Sequence, residues 1–279
     1  MSFRINTNVD AFNAQLNLQN TASLFSKSVE RLSSGLRINR AADDAAGLAI
    51  SEKLRSQVKG LGMAMRNSQD GISMIQTAEG ALNETTSILQ RMRELAVQAA
   101  NGTLSSQDRT AIQSEGTQLQ TELTRIASVT KFNGNSLLDG TLATAAITLQ
   151  IGANSSSYEQ LAVTFTGSMS AVGLTVDNGS ISFSTQALAQ AAISNIDAAI
   201  SQVSGVRATL GAMQNRLEHT INSLGVNEAN LMASESRIRD VNVAEETVNL
   251  TKAQILQQAG TAVLAQANQA PNSVLSLLR

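Results

Sequence analysis

The chain has 279 residues, a formal net charge of −2, no Cys, one His and no Trp. The absence of Cys excludes disulfides and thiolate chemistry. A lone histidine makes a His-based metal site or catalytic triad implausible, and the charge balance provides no clustered basic surface for nucleic acid. Aromatic residues are 3% and charged residues 15%, so Ser, Thr, Asn and Gln must supply much of the surface. A core of Ala, Leu, Ile and Val suits closely packed helices better than a shaped enzyme pocket.

The first eight residues, Met1 to Asn8, carry no long apolar core of the kind a conventional signal peptide needs. No run approaches the roughly 20 apolar residues that span a bilayer. Residues 1–36 read as an amphipathic helix: Leu18, Ala22, Phe25, Val29, Leu32 and Leu36 recur at steps of three and four and share a face. Residues 37–43 form a connector. Asp43-Asp44 then stand where a new helix begins, a place that favours negative charge. A catalytic or metal-binding carboxylate pair is the weaker reading, because no His or second acidic cluster accompanies them. The segment from Asp44 to Ala100 is readable as one helix of about 85 Å. Its second half carries the heptad Ile75, Ala78, Leu82, Thr85, Leu89, Met92, Ala96, Ala99. Gly60, Gly62, Gly71 and Gly80 weaken it by about 1 kcal/mol each relative to Ala while permitting close approach of neighbours.

Asn101-Gly102 is a helix stop, and Ser105 with Asp108 has the form of a capping box with Asp in the usual Glu place. A shorter helix runs to about Thr130, its apolar face Ile112, Leu119, Leu123 and Ile126. Residues 131–185 change character. Ile147, Leu149 and Ile151 alternate with other residues, as do Leu161, Val163 and Phe165. Leu174 and Val176 precede Asp177-Asn178-Gly179, with Ile181 and Phe183 after it, which predicts a hairpin turning at Asn178-Gly179. From about Gln186 a helix returns with the heptad Ile196, Ala199, Val203, Val206, Leu210, Met213, Leu217, Thr220, Leu224. Pairing it with the 75–99 stripe is the simplest way to bury both. His219 reads as a helix-surface residue. Residues 241–279 form a last amphipathic helix with two seven-spaced rows: Val241, Val248, Ile255, Ala262, and Leu256, Val263, Ala270, Leu277. Pro271 lies near the end of that helix, where a kink does little damage.

The fold class expected is mainly α: a long antiparallel coiled-coil-like helical rod with a small β-hairpin element at about 140–185, and terminal helices at 1–42 and 241–279. A chain whose two ends both carry apolar stripes has to bury them against each other or against further copies of itself. That points to assembly rather than catalysis. Their polar faces hold Asn, Gln, Ser and Thr rather than Lys and Arg, which argues against a membrane surface. Asn101-Gly102-Thr103 and Asn178-Gly179-Ser180 match the N-glycosylation pattern, but turn chemistry explains both. Ser155, Ser156 and Ser157 are candidates for O-linked sugars.

At this level of detail the residues resemble a family. Arg31-Leu32-Ser33-Ser34-Gly35-Leu36-Arg37-Ile38-Asn39, followed by Asp43-Asp44-Ala45-Ala46-Gly47, is similar to the N-terminal signature of bacterial flagellin. The run from Leu89 to Thr103, Phe132-Asn133-Gly134, Ser236 to Asp240, Gln254 to Gly260 and the closing segment Ala262 to Leu278 resemble its other segments, in the same order. The resemblance covers about residues 1–140 and 186–279, and only some 55 residues, 131–185, separate the two helical halves. It therefore implies a short form without the variable outer domain.

The resemblance implies a filament subunit, with the 1–42 and 241–279 helices forming an inner tube and residues 43–240 a helical rod around it. Leu18, Phe25, Val29, Leu32, Val248, Ile255, Leu256, Val263 and Leu277 are then the assembly residues. Ile75, Leu82, Leu89, Met92, Ile196, Val203, Leu210 and Leu217 form the rod core. The implied partners are other copies of the chain in a helical homopolymer, the flagellar type III export apparatus, a filament cap, junction proteins and a flagellin chaperone, with no nucleic acid or membrane. Arg91, Leu95 and Glu115 fall where relatives help form the surface seen by Toll-like receptor 5. The plainer account of them is a solvated helix face. Three other readings stand beside the filament subunit: a hook–filament junction protein, a soluble coiled-coil binding module, and a flagellin-type zinc peptidase, which the lack of an HExxH pattern nearly excludes.

Overall fold

The structure, a computed structural model, describes residues 7–143, 145–165 and 167–277, the last eight of these by backbone alone. The described residues are mainly helical: α1 (Val9–Ser34), α2 (Ala45–Ala99), α3 (Ser106–Val129), α4 (Gln186–Arg239) and α5 (Val243–Leu277). Two small antiparallel sheets lie between α3 and α4. One pairs β1 (Lys131–Phe132) with β2 (Asn135–Ser136), and the other pairs β3 (Ile147–Gln150) with β4 (Gln160–Val163). Helix α5 continues through Pro271. The chain forms two compact units, Met1–Gln57 with Asn230–Arg279, and Val58–Ala229, so the first turns of α2 and the last turns of α4 belong with the terminal helices.

In the Val58–Ala229 unit, α2 and α4 run antiparallel. Arg93 pairs with Asp197 at 2.6 Å and Glu79 with Arg207 at 3.8 Å, while Gly71 lies against Leu217. One number climbs as the other falls, as side-by-side antiparallel helices require. Between them Ile75, Leu82, Leu89, Met92, Ile196, Val203, Leu210 and Leu217 are all buried in one apolar cluster. Thr85 joins the buried face without an orphaned hydroxyl, because its Oγ1 donates to the Ala81 carbonyl at 3.0 Å. His219 is exposed on α4.

Helix α3 begins with the capping box read from sequence. Asp108 N–H donates to Ser105 Oγ at 3.2 Å, and Ser105 N–H donates back to Asp108 Oδ2 at 2.9 Å. Two orphan amides of the first turn are thereby satisfied. Arg109 folds back on the end of α2, donating to the carbonyls of Ala99 at 3.1 Å and Asn101 at 2.9 Å. The C-terminal carbonyls of a helix lack intrahelical partners and attract such a cation.

The β hairpin is β3–β4, with Ile147 opposite Val163 and Leu149 opposite Leu161. It packs on α2 where glycines leave room: a Cβ at Gly60 would meet that of Ala153 at 2.9 Å, and one at Gly71 would collide with Leu149. Asn67 Nδ2 secures it by donating to the Gln150 carbonyl at 3.0 Å. The hairpin predicted to turn at Asn178-Gly179 does not form. Leu174, Val176, Ile181 and Phe183 are all buried, but the amides of the first three bond within local turns and that of Phe183 donates to the Gln113 side chain, with no ladder between them. Val176 N–H donates to Ala171 O at 2.8 Å, and Ile181 N–H to Asp177 O at 3.0 Å. Alternation here marks alternate burial without strand pairing.

Candidate assembly surface

The other unit is built around α1 and α5. Asn8 caps α1, its Oδ1 accepting from Ala11 N–H at 3.0 Å, while its Nδ2 donates to the Ala267 carbonyl of α5 at 2.8 Å. At the opposite end Gly35, with φ +72°, sends its N–H to Arg31 O and turns the chain. A left-handed residue at this position is ordinarily glycine. Leu36 bridges to Asp240, Arg37 N–H donates to Arg239 O at 2.6 Å, and Val241 N–H donates to Gly35 O at 3.0 Å. Asn242 Oδ1 accepts from Ala244 N–H at 3.2 Å and starts α5. Arg31 reaches the buried Glu246 at 3.5 Å.

Asp43 and Asp44 act as connector and cap. Asp44 Oδ1 accepts from Gly47 N–H at 2.8 Å at the start of α2. Asp43 holds Lys27 of α1 at 2.7 Å and accepts the amides of Asn39 and Arg40. The hydrogen bond from Lys27, followed by that from Arg40, lowers its pKa from 3.8 to about 2. A depressed carboxylate pKa stabilises the fold above the ordinary value and ceases to do so as pH falls through the folded one. Asp43→Asn is expected to cost about 1 kcal/mol at neutral pH, after allowance for solvent screening. The gap to the parent chain should close between about pH 4 and about pH 2, read from thermal midpoints across that range.

The two helices meet along regular three–four seams. On α1, Ala11, Ala14, Leu18, Thr21, Phe25, Ser28 and Leu32 are buried or half-buried. On α5, Glu246, Leu250, Ala253, Gln257, Gly260, Leu264 and Ala267 are. A Cβ at Gly260 would meet Leu18 at 3.1 Å, so the helices approach closely there. Of the rows read from sequence on α5, Val248, Ile255, Ala262 and Val263 are exposed and take no part in that seam, Leu256 borders a groove between α5 and α1 with Leu24, and the side chain of Ala270 lies outside the described residues. Val248 is 67% exposed, Ile255 61%, and Leu256 and Val263 are exposed as well. On α1 Leu18, Phe25 and Leu32 join the seam, whereas Val29, Phe12, Leu16 and Leu24 are exposed. The side chain of Leu277 lies outside the described residues. Sequence reading missed the α5 seam because Glu246, Gln257 and Gly260 interrupt its apolar character, although its spacing is intact. Val248, Ile255 and Leu256, with Thr247, Thr251 and Lys252, line an apolar hollow on α5. Phe12 and Leu18 border a second hollow with Leu264.

Arg91 and Glu115 are brought together across α2 and α3, Arg91 Nη2 lying 2.8 Å from Glu115 and its Nη1 2.9 Å from Glu94. The hydrogen bonds of Glu115 and Glu94 raise the guanidinium pKa above its usual value. Leu95 does not share that surface. It is 1% exposed and packs in the apolar cluster, because its place on α2 faces inward. Among the described residues no group of His, Cys, Asp and Glu is arranged to hold a metal ion. No described helix is long and apolar enough to cross a membrane.

Comparison with known proteins bears on these features. Residues 5–143 match the family model of the bacterial flagellin N-terminal helical region, and residues 193–278 that of the C-terminal helical region. The chain is 54% identical to a flagellin of Halalkalibacterium halodurans over 99% of each chain. It is 50% identical to a flagellin of Bacillus subtilis, over 99% of this chain and 100% of that one. The 33 kDa flagellar filament core protein of Treponema phagedenis is also 50% identical, over 99% of both. Among solved structures, a putative flagellar hook-associated protein from Vibrio parahaemolyticus aligns with a TM-score of 0.60 over 71% of this chain and all of its own. At 16% identity that is a likeness of fold alone. Two family models that together take in both helical ends, and relatives of half-identical sequence along the full length, place this chain in the bacterial flagellin family.

Proposed function

We propose that the chain is the structural subunit of a bacterial flagellar filament, acting by self-assembly rather than catalysis. The observation that carries the reading is the apolar surface left over once α1 and α5 have paired: Val248, Ile255, Leu256 and Val263 face outward together with Phe12, Leu24 and Val29. Exposed apolar rows on paired helices are surfaces for further subunits. A head-to-tail, heterologous interface generates an open helical polymer, and two alternative packings of such an interface supercoil it into a propeller for swimming.

On this reading residues 1–42 and 241–279 form the inner tube of the filament, and residues 43–240 the layer around it. The subunit leaves the cell through the flagellar type III export apparatus with the help of a chaperone, then adds beneath a cap beyond the junction proteins. The terminal helices order fully on assembly. Fixing their backbone costs about 1–2 kcal/mol per residue, so several subunit contacts must form together and growth is cooperative. A cysteine-free chain suits threading through a narrow channel. Recognition by Toll-like receptor 5 falls on exposed Arg91 and Glu115, with Leu95 supporting α2 from beneath.

The test is seeded growth. Purified full-length chain is added to short filament fragments from its source cell and followed by light scattering and electron microscopy. Ile255→Asp, on the outer row, is expected to leave the stability read from thermal unfolding within about 0.5 kcal/mol of the parent, as exposed substitutions do, and to stop extension. Growth of Ile255→Asp at the parental rate, or no growth of the parent, would overturn the reading.

A further inference from the structure

We propose that Asn178-Gly179 is a self-modifying site, at which the folded chain accelerates conversion of the asparagine to aspartate and isoaspartate. The chain has three Asn-Gly pairs, at 101–102, 133–134 and 178–179. In such a pair the absence of a Cβ on the following residue leaves the asparagine side-chain amide open to attack by the next backbone nitrogen. The three pairs sit in different chemical surroundings. Asn101 Oδ1 accepts Thr103 N–H at 3.2 Å and its carbonyl accepts Arg109 at 2.9 Å, within the stop of α2. Asn133, at φ +48°, is held in the turn between β1 and β2.

At Asn178 both reacting groups are engaged, the nucleophile as well as the electrophile. The Gly179 N–H, the nucleophile, donates to Asp177 Oδ2 at 3.3 Å. The side-chain carbonyl, the electrophile, accepts from Gln113 Nε2 of α3 at 3.2 Å. The orientation of the Gln113 amide follows from its other bonds: its Oε1 accepts the Phe183 backbone N–H at 2.6 Å and the Ser182 hydroxyl at 3.3 Å. An oxygen so used leaves the nitrogen facing Asn178, so the atom it meets there is an acceptor. The Ser180 hydroxyl, donating to Asp177 Oδ1, lowers the Asp177 pKa and keeps it ionised. A base on the nucleophile and a donor on the developing oxyanion are the two elements that general-base acyl chemistry uses.

The steps balance within the loop. As the Gly179 nitrogen bonds to Asn178 Cγ, its proton passes to the Asp177 carboxylate, and the negative charge on Asn178 Oδ1 is met by Gln113. The carbonyl then re-forms, the bond from Cγ to the side-chain nitrogen breaks, and ammonia leaves with the proton returned by Asp177. Water opens the resulting succinimide at either carbonyl, giving aspartate or isoaspartate. One water is consumed, one ammonia released, and nothing is oxidised. The product carries a new charge beside Asp177. The isoaspartate branch also lengthens the main chain in the turn that delivers Ile181 and Phe183 to the core.

The test is peptide mapping by mass spectrometry of full-length chain incubated at neutral pH, reading the amide-to-acid mass change at all three pairs in the same molecules. Asn178 should convert roughly tenfold or more faster than Asn101 and Asn133, a modest share of what general-base help supplies. In urea the three rates should converge. Asp177→Asn keeps an acceptor for Gly179 N–H but removes the base, and Gln113→Glu keeps the acceptor for Phe183 N–H but removes the donor. Each should bring Asn178 within about twofold of the other two sites. If Gln113→Glu loosens the loop, Asp177→Asn decides. A rate at Asn178 that rises in urea, or that Asp177→Asn leaves unchanged, overturns the proposal.

Discussion

Ala253→Asp is expected to part α1 from α5 and abolish seeded filament growth. Ala253 is 4% exposed in the middle of the α5 seam, beside Thr21, Leu24 and Ser28 of α1. An aspartate there is too short to carry its charge to water, and an uncompensated buried charge costs about 3–5 kcal/mol. If every added subunit bears that cost, the concentration needed to sustain growth rises by about two to four orders of magnitude. The measurement is light scattering on seeds, with circular dichroism on the monomer. Ala259→Asp, at an exposed position on the same helix, serves as the control and should grow normally. Parental growth of Ala253→Asp would show that the α1–α5 pairing has no part in the filament. Set beside Ile255→Asp, the experiment separates loss of the pair from loss of the outer row.

Phe183→Ala is expected to destabilise the Val58–Ala229 unit by about 4 kcal/mol, in the range for truncating a buried aromatic side chain. Phe183 is fully buried, and its ring occupies the space where Gly116 on α3 would otherwise carry a Cβ. Gly116→Ala alone should therefore cost about 1–3 kcal/mol through overpacking. In the Phe183→Ala background that cost should vanish, because the ring is gone and alanine is favoured over glycine in a helix interior by about 1 kcal/mol. Urea midpoints of the two single variants, the double variant and the parent close the cycle. Simple additivity would mean that the contact between ring and glycine is not what holds the loop to α3.

The long helices were legible because their heptads are long and clean. Ile75 to Ala99 and Ile196 to Leu224 are periodic over several turns, and a buried face follows from spacing alone. Ser105 with Asp108 was legible for a local reason, since a cap depends on residues three apart. The turn at Asp177 was not. Leu174, Val176, Ile181 and Phe183 carry a strand's alternation, but Gln113, some 65–70 residues earlier, holds Asn178 and Phe183 and fixes the chain as turns. Tertiary partners override local pattern in such cases. The candidate assembly face was half legible. The outward rows of α5 are apolar and stood out, while the seam that meets α1 is built from small and polar residues at the right spacing. Leu95 shows the same limit, for one position on a heptad decides whether a side chain meets solvent or the core.

Helix α5 uses its circumference on two sides, with one seam toward α1 and apolar rows turned away from it. Deleting one residue between Val248 and Val263 would rotate everything beyond the deletion by about 100° about the axis. The second half of the seam would then point outward, and the smaller Ala265 would stand in the place of Leu264. No shift of the rest of the chain restores both sides together. Change in chain length is therefore barred from this helix and admissible in the loop between β3 and β4, where Asn154 to Ser156 are exposed and lie outside any helix or strand. In α5 it is helical phase, more than the identity of any one side chain, that variation among interchangeable subunits has to preserve.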